Sequence, residues 1–308
     1  MKHLLSINDM TIDEINRVFE WSEKLKRYVK EGIEHHLLKG KTLGMIFTKS
    51  STRTRVSFET GMYQLGGYPL FLSANDIQVS RGESFYDTAK VLSRYIDGIM
   101  IRTFKQSDVE QLAKYGTIPV INGLTDLLHP CQILADLFTV KEYKGDLKSL
   151  KLAYVGDGNN IANSLLHGCS KIGMALSIAT PKGYECDPAV INNALQNAKE
   201  SGAVIELIND PVKAVENADV IYTDTWVSMG QEQEKETRIK AFKDYQVNKE
   251  LWAHAAKDAM FLHCLPAYRG YEVTEDIIDG PMSKIFDQAE NRLHVQKAIM
   301  VMLMKDNK

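Results

Sequence analysis

Apolar positions along the chain switch between two periods. Ile12, Ile15, Val18, Phe19 and Leu25 recur at helical spacing and predict an amphipathic helix over 11–30. The apolar run at 42–47 predicts a buried strand, and Gly66-Gly67 closes a helix expected over 53–65. Strands follow at 68–72, 98–101 and 118–121, with helices at 84–95 and 131–143. A polar stretch at 144–149, containing Gly145, breaks the pattern. It restarts with a strand at 152–155, and further strands are expected at 175–179, 204–207, 220–223 and 260–263. Asp187-Pro188 and Asp210-Pro211 put proline in the first helical position behind a capping aspartate. A last helix over 289–304 carries the apolar run Ala298 to Met304. That run is far below the ~20 residues of a membrane span, so it reads as core.

Strand, helix, strand, helix is the pattern of parallel α/β sheets. The expected fold class is α/β with two domains, each a parallel sheet flanked by helices, the C-terminal helix packing back on the first domain. The expected boundaries are 1–145 together with 288–308, and 146–287.

A length of 308 residues agrees with two domains. The hydrophobic fraction of 44% and charged fraction of 25% are those of a globular chain that needs no disulfides. Net charge is −3 and no basic stripe stands out, so nucleic acid is not an expected partner. Phosphate-sized anions need only local positive charge. Cys131, Cys169, Cys186 and Cys264 form no C-x-x-C pair or zinc spacing, which predicts free thiols and no metal. His35 and His36 sit in a polar stretch and predict a solvated loop. Residues 1–10 lack a signal-peptide apolar run, and Asp13 and Glu14 follow at once. With no apolar segment long enough for a membrane, the expected location is cytoplasmic.

Open α/β sheets bind ligands beyond the carboxyl ends of their strands. Four loops there carry unusual residues. Ser50-Ser51-Thr52-Arg53-Thr54-Arg55 opens a helix, whose free N–H groups, hydroxyls and Arg53 suit a phosphate. The same residues also read as an ordinary cap with solvated arginines. Arg102 follows a strand and reads as an anion ligand or a surface ion pair. His129-Pro130-Cys131-Gln132 starts a helix, with His129 aimed at a cleft or merely capping. His263-Cys264-Leu265-Pro266 ends a strand, with Cys264 either reactive or structural. Gly156-Asp157-Gly158-Asn159-Asn160 is half of a dinucleotide fingerprint. Position 161 is Ile instead of the third Gly and no acidic residue sits ~20 positions on, so NAD is not expected.

Taken in order, Ser51-Thr52-Arg53-Thr54, Arg102, His129-Pro130-Cys131-Gln132, His263-Cys264-Leu265-Pro266 and Arg292 resemble the aspartate/ornithine carbamoyltransferase family over nearly the whole chain. Asp224-Thr225-Trp226-Val227-Ser228-Met229-Gly230 resembles the ornithine-binding loop of that family, whose Ser-Met-Gly element the aspartate branch lacks. Putrescine, aspartate or an acylated ornithine are the competing acceptors, and a non-catalytic paralogue the competing reading. The polar segment 231–240 is either a solvated helix or part of a lid.

The resemblance implies transfer of a carbamoyl group from carbamoyl phosphate to the side-chain amine of L-ornithine, giving L-citrulline and phosphate, in arginine metabolism. It implies no cofactor. Carbamoyl phosphate is expected at Ser51, Thr52, Arg53, Thr54, Gln78, Arg102, His129, Gln132, Cys264, Leu265 and Arg292. Ornithine is expected at Asn160, Asp224, Ser228 and Met229, and catalysis at Arg102, His129, Asp224 and Cys264. The resemblance further implies a homotrimer with shared active sites, Gln78 coming from a neighbour, and a cis bond at Leu265-Pro266.

Overall fold

The first helix begins where its sequence directs. The Thr11 hydroxyl accepts from the Glu14 N–H, and the Glu14 carboxylate accepts from the Thr11 N–H, a reciprocal cap that satisfies two otherwise orphaned donors. The computed structural model describes residues 1–78, 82–228, 230 and 232–306. In chain order its elements are α1 (Ile12–Lys30), β1 (Thr42–Phe47), α2 (Thr52–Gln64), β2 (Tyr68–Ser73), α3 (Phe85–Leu92), β3 (Gly98–Arg102), α4 (Gln106–Tyr115), β4 (Val120–Leu124), α5 (Pro130–Lys144), β5 (Lys151–Val155) and α6 (Asn160–Ile172). There follow β6 (Ala175–Ala179), α7 (Pro188–Ser201), β7 (Ile205–Ile208), α8 (Pro211–Val215), β8 (Val220–Thr223), α9 (Lys235–Phe242), α10 (Lys249–Trp252), β9 (Met260–His263), α11 (Glu275–Ile278) and α12 (Ile285–Met304).

The chain divides into two units, Met1–Phe138 with Glu290–Lys308, and Thr139–Ala289. The first holds a parallel sheet in the order β2-β1-β3-β4. The second holds a parallel sheet in the order β7-β6-β5-β8-β9. Both are flanked by helices, as the α/β pattern predicts. Each sheet winds outward in two directions, so each has a point where strand order reverses, between β1 and β3 in one and between β5 and β8 in the other. Such points leave a crevice at the strands' carboxyl ends.

From Glu290 onward, α12 belongs to the first unit. Lys26 donates to Asn291 Oδ1 at 2.8 Å. A Cβ on Gly61 of α2 would lie 3.0 Å from Lys297 and 3.1 Å from Met300, so glycine lets the two helices approach closely. Ala298, Ile299, Met300, Val301, Leu303 and Met304 are buried, which makes the apolar run core. No helix among the described residues is long and apolar enough to cross a membrane.

Several expectations shift. The fourth strand starts at Val120 rather than 118, because Pro119 has no N–H for the ladder while its carbonyl accepts from Ile99. The third helix stops at Leu92, not 95, and the last begins at Ile285, not 289. His35 is buried rather than solvated. Its Nδ1 meets the Ile33 carbonyl at 2.7 Å and its Nε2 meets Lys297 Nζ at 2.8 Å, a partner 262 residues away. The polar segment 231–240 is not wholly solvated either. Arg238 of α9 is buried and pairs with buried Asp157 at 2.8 Å.

Candidate active site

In the first unit, β1 leads into a short loop and then α2. The Ser51 side chain accepts from the Thr54 N–H at 3.2 Å and caps the helix. No acidic residue occupies the first turn, so the partial positive charge of the helix start is not offset there. Thr52 and Arg53 are exposed while Thr54 is buried. Lys49, just before the cap, is buried, ion-paired with Asp126, and 4.2 Å from the Phe104 ring centre. Arg102 stands beside this loop because it ends β3, in register with Phe47 at the end of β1. The β3–β4 register shifts between Ile101 and Arg102, the kind of irregularity that re-aims a side chain.

Three elements then meet. Arg292 of α12 donates from Nη1 to Gln132 Oε1 at 2.8 Å and from Nη2 to Thr54 Oγ1 at 3.0 Å. With its amide oxygen turned toward Arg292, Gln296 accepts from Nη2 at 3.0 Å, and its nitrogen donates to Ser57. His129 is buried, and its pKa lies well below the ordinary imidazole value. Burial is the main cause, followed by the positive charges of Arg292, Arg102 and Arg53. The imidazole is therefore neutral at physiological pH and can donate an N–H without adding charge. Cys131 faces the Asn122 carbonyl at 3.4 Å, and burial pushes its thiol up to about 12, so it is structural. Gln78 is exposed in the turn after β2 and takes no part in the bonds joining Thr54, Gln132 and Arg292.

In the second unit the loops after β5, β8 and β9 carry the candidates. Asn159 caps α6, accepting from the Ile161 and Ala162 N–H groups, and its Nδ2 donates to Asp224 Oδ2 at 2.8 Å. Asn160 follows, half-buried, as the first residue of α6. Asp224 is buried, and its Oδ1 accepts from the Thr225 N–H at 2.8 Å and from Cys264 Sγ at 3.0 Å. Cys264 is half-buried, as is Ser228; Met229 lies outside the described residues. Leu265 has φ +59 and a cis bond to Pro266, as the resemblance implies. The Leu265 N–H donates to His263 Nδ1 at 2.9 Å, and His263 Nε2 faces Glu272 at 3.3 Å.

Asp224, His263 and Cys264 offer oxygen, nitrogen and sulfur atoms within 4.8 Å of one another, a set a soft divalent cation could accept. The lone pair of His263 Nδ1 is already engaged by the Leu265 N–H, and Cys264 already donates to Asp224. The Gly156–Gly158 turn also has a structural explanation. A Cβ on Gly158 would lie 2.3 Å from the Glu185 carbonyl carbon, so close backbone packing requires glycine there.

Asn159, Asp136 and Gln296 were not among the sequence candidates. Asn159 is visible in sequence only as a capping residue. Asp136 and Gln296 each lie four residues beyond a candidate on the same helix, a spacing that places side chains together.

Among known proteins, residues 2–142 match the family model "Aspartate/ornithine carbamoyltransferase, carbamoyl-P binding domain", and residues 148–303 match its "Asp/Orn binding domain". The chain is 60% identical over 301 residues to the ornithine carbamoyltransferase of Caldicellulosiruptor saccharolyticus, covering 98% of both chains. It is 58% identical to that of Thermococcus kodakarensis, covering 98% of this chain and 96% of the other. The solved ornithine carbamoyltransferase of Pyrococcus furiosus superposes with a TM-score of 0.97 at 57% identity, covering 100% of this chain and 98% of that one.

Proposed function

The chain belongs to the aspartate/ornithine carbamoyltransferase family, and from that premise we infer that it transfers the carbamoyl group of carbamoyl phosphate to the side-chain amine of L-ornithine. The products are L-citrulline and phosphate. One observation carries the reading at the level of the site: Arg292 bridges Thr54 and Gln132 beside a neutral His129 flanked by arginine charge.

Carbamoyl phosphate is an anion with a reactive carbonyl. Its phosphate sits at the start of α2, with Ser51, Thr52, Arg53 and Arg102 supplying hydrogen bonds and charge. The carbonyl oxygen gains negative charge as the amine adds, and the Thr54 hydroxyl, Arg102 and the His129 N–H stabilise it. Gln132 holds the carbamoyl nitrogen. The attacking amine resembles that of lysine, with a pKa near ~10.4, so most of it is protonated at neutral pH. Asp224 and Cys264 receive this amine, while Asn160, Ser228 and Met229 hold the α-amino and α-carboxyl end. The ammonium first gives up one proton to solvent. The free amine then forms the C–N bond, the bond from carbon to the phosphate oxygen breaks, and the nitrogen's second proton leaves on the phosphate.

Donor binding is assigned to residues 1–145 with 288–308, and acceptor binding to 146–287. The Ser228-Met229-Gly230 loop supports free ornithine as acceptor. A homotrimer in which Gln78 completes a neighbour's site, located in the cytoplasm, is part of the same proposal; the four free cysteines suit a reducing compartment. The test is a substrate panel of ornithine, aspartate, putrescine and N-acetylornithine with carbamoyl phosphate. Citrulline from ornithine is expected, and turnover of aspartate but not ornithine overturns the reading. Light scattering should give about three times 34.7 kDa; an active monomer overturns the shared site.

A further inference from the structure

We propose that Asp136 is a positioning residue whose carboxylate holds the Gln132 amide with its oxygen toward the carbamoyl end of the donor. The inference rests on the donor site described above. Gln132 and Asp136 lie one turn apart on α5, and both are buried, with 2% and 0% of their surface exposed. Gln132 Nε2 donates to Asp136 Oδ1 at 2.8 Å. On its other side Gln132 Oε1 accepts from Arg292 Nη1 at 2.8 Å. A carboxylate only accepts and a guanidinium only donates. One orientation of the amide satisfies both neighbours, and it turns oxygen, not nitrogen, toward Arg292.

The consequence is chemical selectivity. An amide oxygen has two lone pairs, and Arg292 engages one, which leaves one for an N–H donor. The same guanidinium donates to Thr54 Oγ1 at 3.0 Å, so the Thr54 proton is available for an acceptor. An acceptor and a donor held side by side complement the NH₂ and C=O of a carbamoyl group. Acetyl phosphate has the same phosphate and carbonyl but a methyl in place of NH₂. A methyl would leave the buried Gln132 oxygen without its hydrogen bond, the situation in which a polar site discriminates well. Asp136 thus acts through Gln132 on the choice of acyl donor and does not itself touch the donor.

The test compares wild type, Asp136→Asn, and the exchanged pair Gln132→Glu/Asp136→Asn. The readouts are the KM for carbamoyl phosphate in citrulline formation and the inhibition constant of acetyl phosphate. In Asp136→Asn the charge-assisted anchor is lost, so KM for carbamoyl phosphate should rise about tenfold. Acetyl phosphate inhibition should stay within about twofold of wild type, since its contacts do not involve the Gln132 oxygen. The exchanged pair keeps one carboxylate and one amide in contact and returns an oxygen to the site, so it should recover most of the loss. An unchanged KM, an equal weakening of both phosphates, or a folded exchanged pair without recovery overturns the proposal. If Asp136→Asn does not fold, the exchanged pair decides alone, provided its melting temperature is near that of wild type. A wild type that makes no citrulline defeats the functional reading itself, and an active wild type matched by Asp136→Asn defeats only this inference.

Discussion

Replacing Arg292 with Met should separate catalysis from folding. Beside a bond to Gln296, the guanidinium makes two at the site, one to Gln132 at 2.8 Å and one to Thr54 at 3.0 Å, and all four residues are buried. Hydrogen bonds from a charged donor contribute about 1.5–3 kcal/mol each, so two give about 3–6 kcal/mol. They share one cation and are not additive. A fall of about 10² to 10³ in kcat/KM for carbamoyl phosphate follows. Stability should change less. Leaving Thr54 and Gln132 without that donor costs about 1–3 kcal/mol each, but removing a buried charge offsets much of it. His129 supplies a second readout. Arg292 is the largest charge lowering its pKa, after burial, so the variant should titrate His129 upward while burial, Arg102 and Arg53 still hold it below the ordinary value. The assay is initial-rate citrulline formation at saturating ornithine, with NMR titration of His129. A folded variant that loses less than tenfold in kcat/KM, or whose His129 moves downward, would refute the reasoning.

Three further outcomes are expected. Burial raises the Asp157 pKa to about 6 from 3.8 despite Arg238, so the folded state binds this proton more tightly than the unfolded chain. Its contribution is therefore fully present below about pH 4 and lost as pH rises through about 6. In urea melts from pH 4 to 7 the wild type should lose stability relative to Asp157→Asn; a constant difference counts against the assignment. Gly158→Ala forces a Cβ against the Glu185 backbone and should cost about 2 kcal/mol in denaturant unfolding; a cost near zero means that the turn gives way. Iodoacetamide should modify half-buried Cys264 before buried Cys131, Cys169 and Cys186, with ornithine protecting. Mass mapping that finds Cys131 first contradicts the burial argument.

The alternation of strand and helix, the caps at Ser51, Asp187 and Asp210, and the α/β class were legible in the sequence alone. Each depends on hydrogen bonds within about four residues or on the period of apolar side chains, and both are written locally. The loops after the strands could be named for the same reason, since strand ends locate them. What those loops do together was not local. Arg292 meets Thr54 and Gln132 across 238 and 160 residues, and Cys264 meets Asp224 across 40. Only resemblance to a family paired them in advance. His35 reads as solvent-facing until α12 brings Lys297 against it, and Gly158, part of an incomplete dinucleotide fingerprint, has no evident role until the Glu185 backbone arrives. Asp136 passes for one more helical carboxylate until folding sets a guanidinium on the far side of Gln132. Local pattern specifies which elements form. Which side chains share a buried site, and which way their amides face, is decided by packing among segments far apart in the chain.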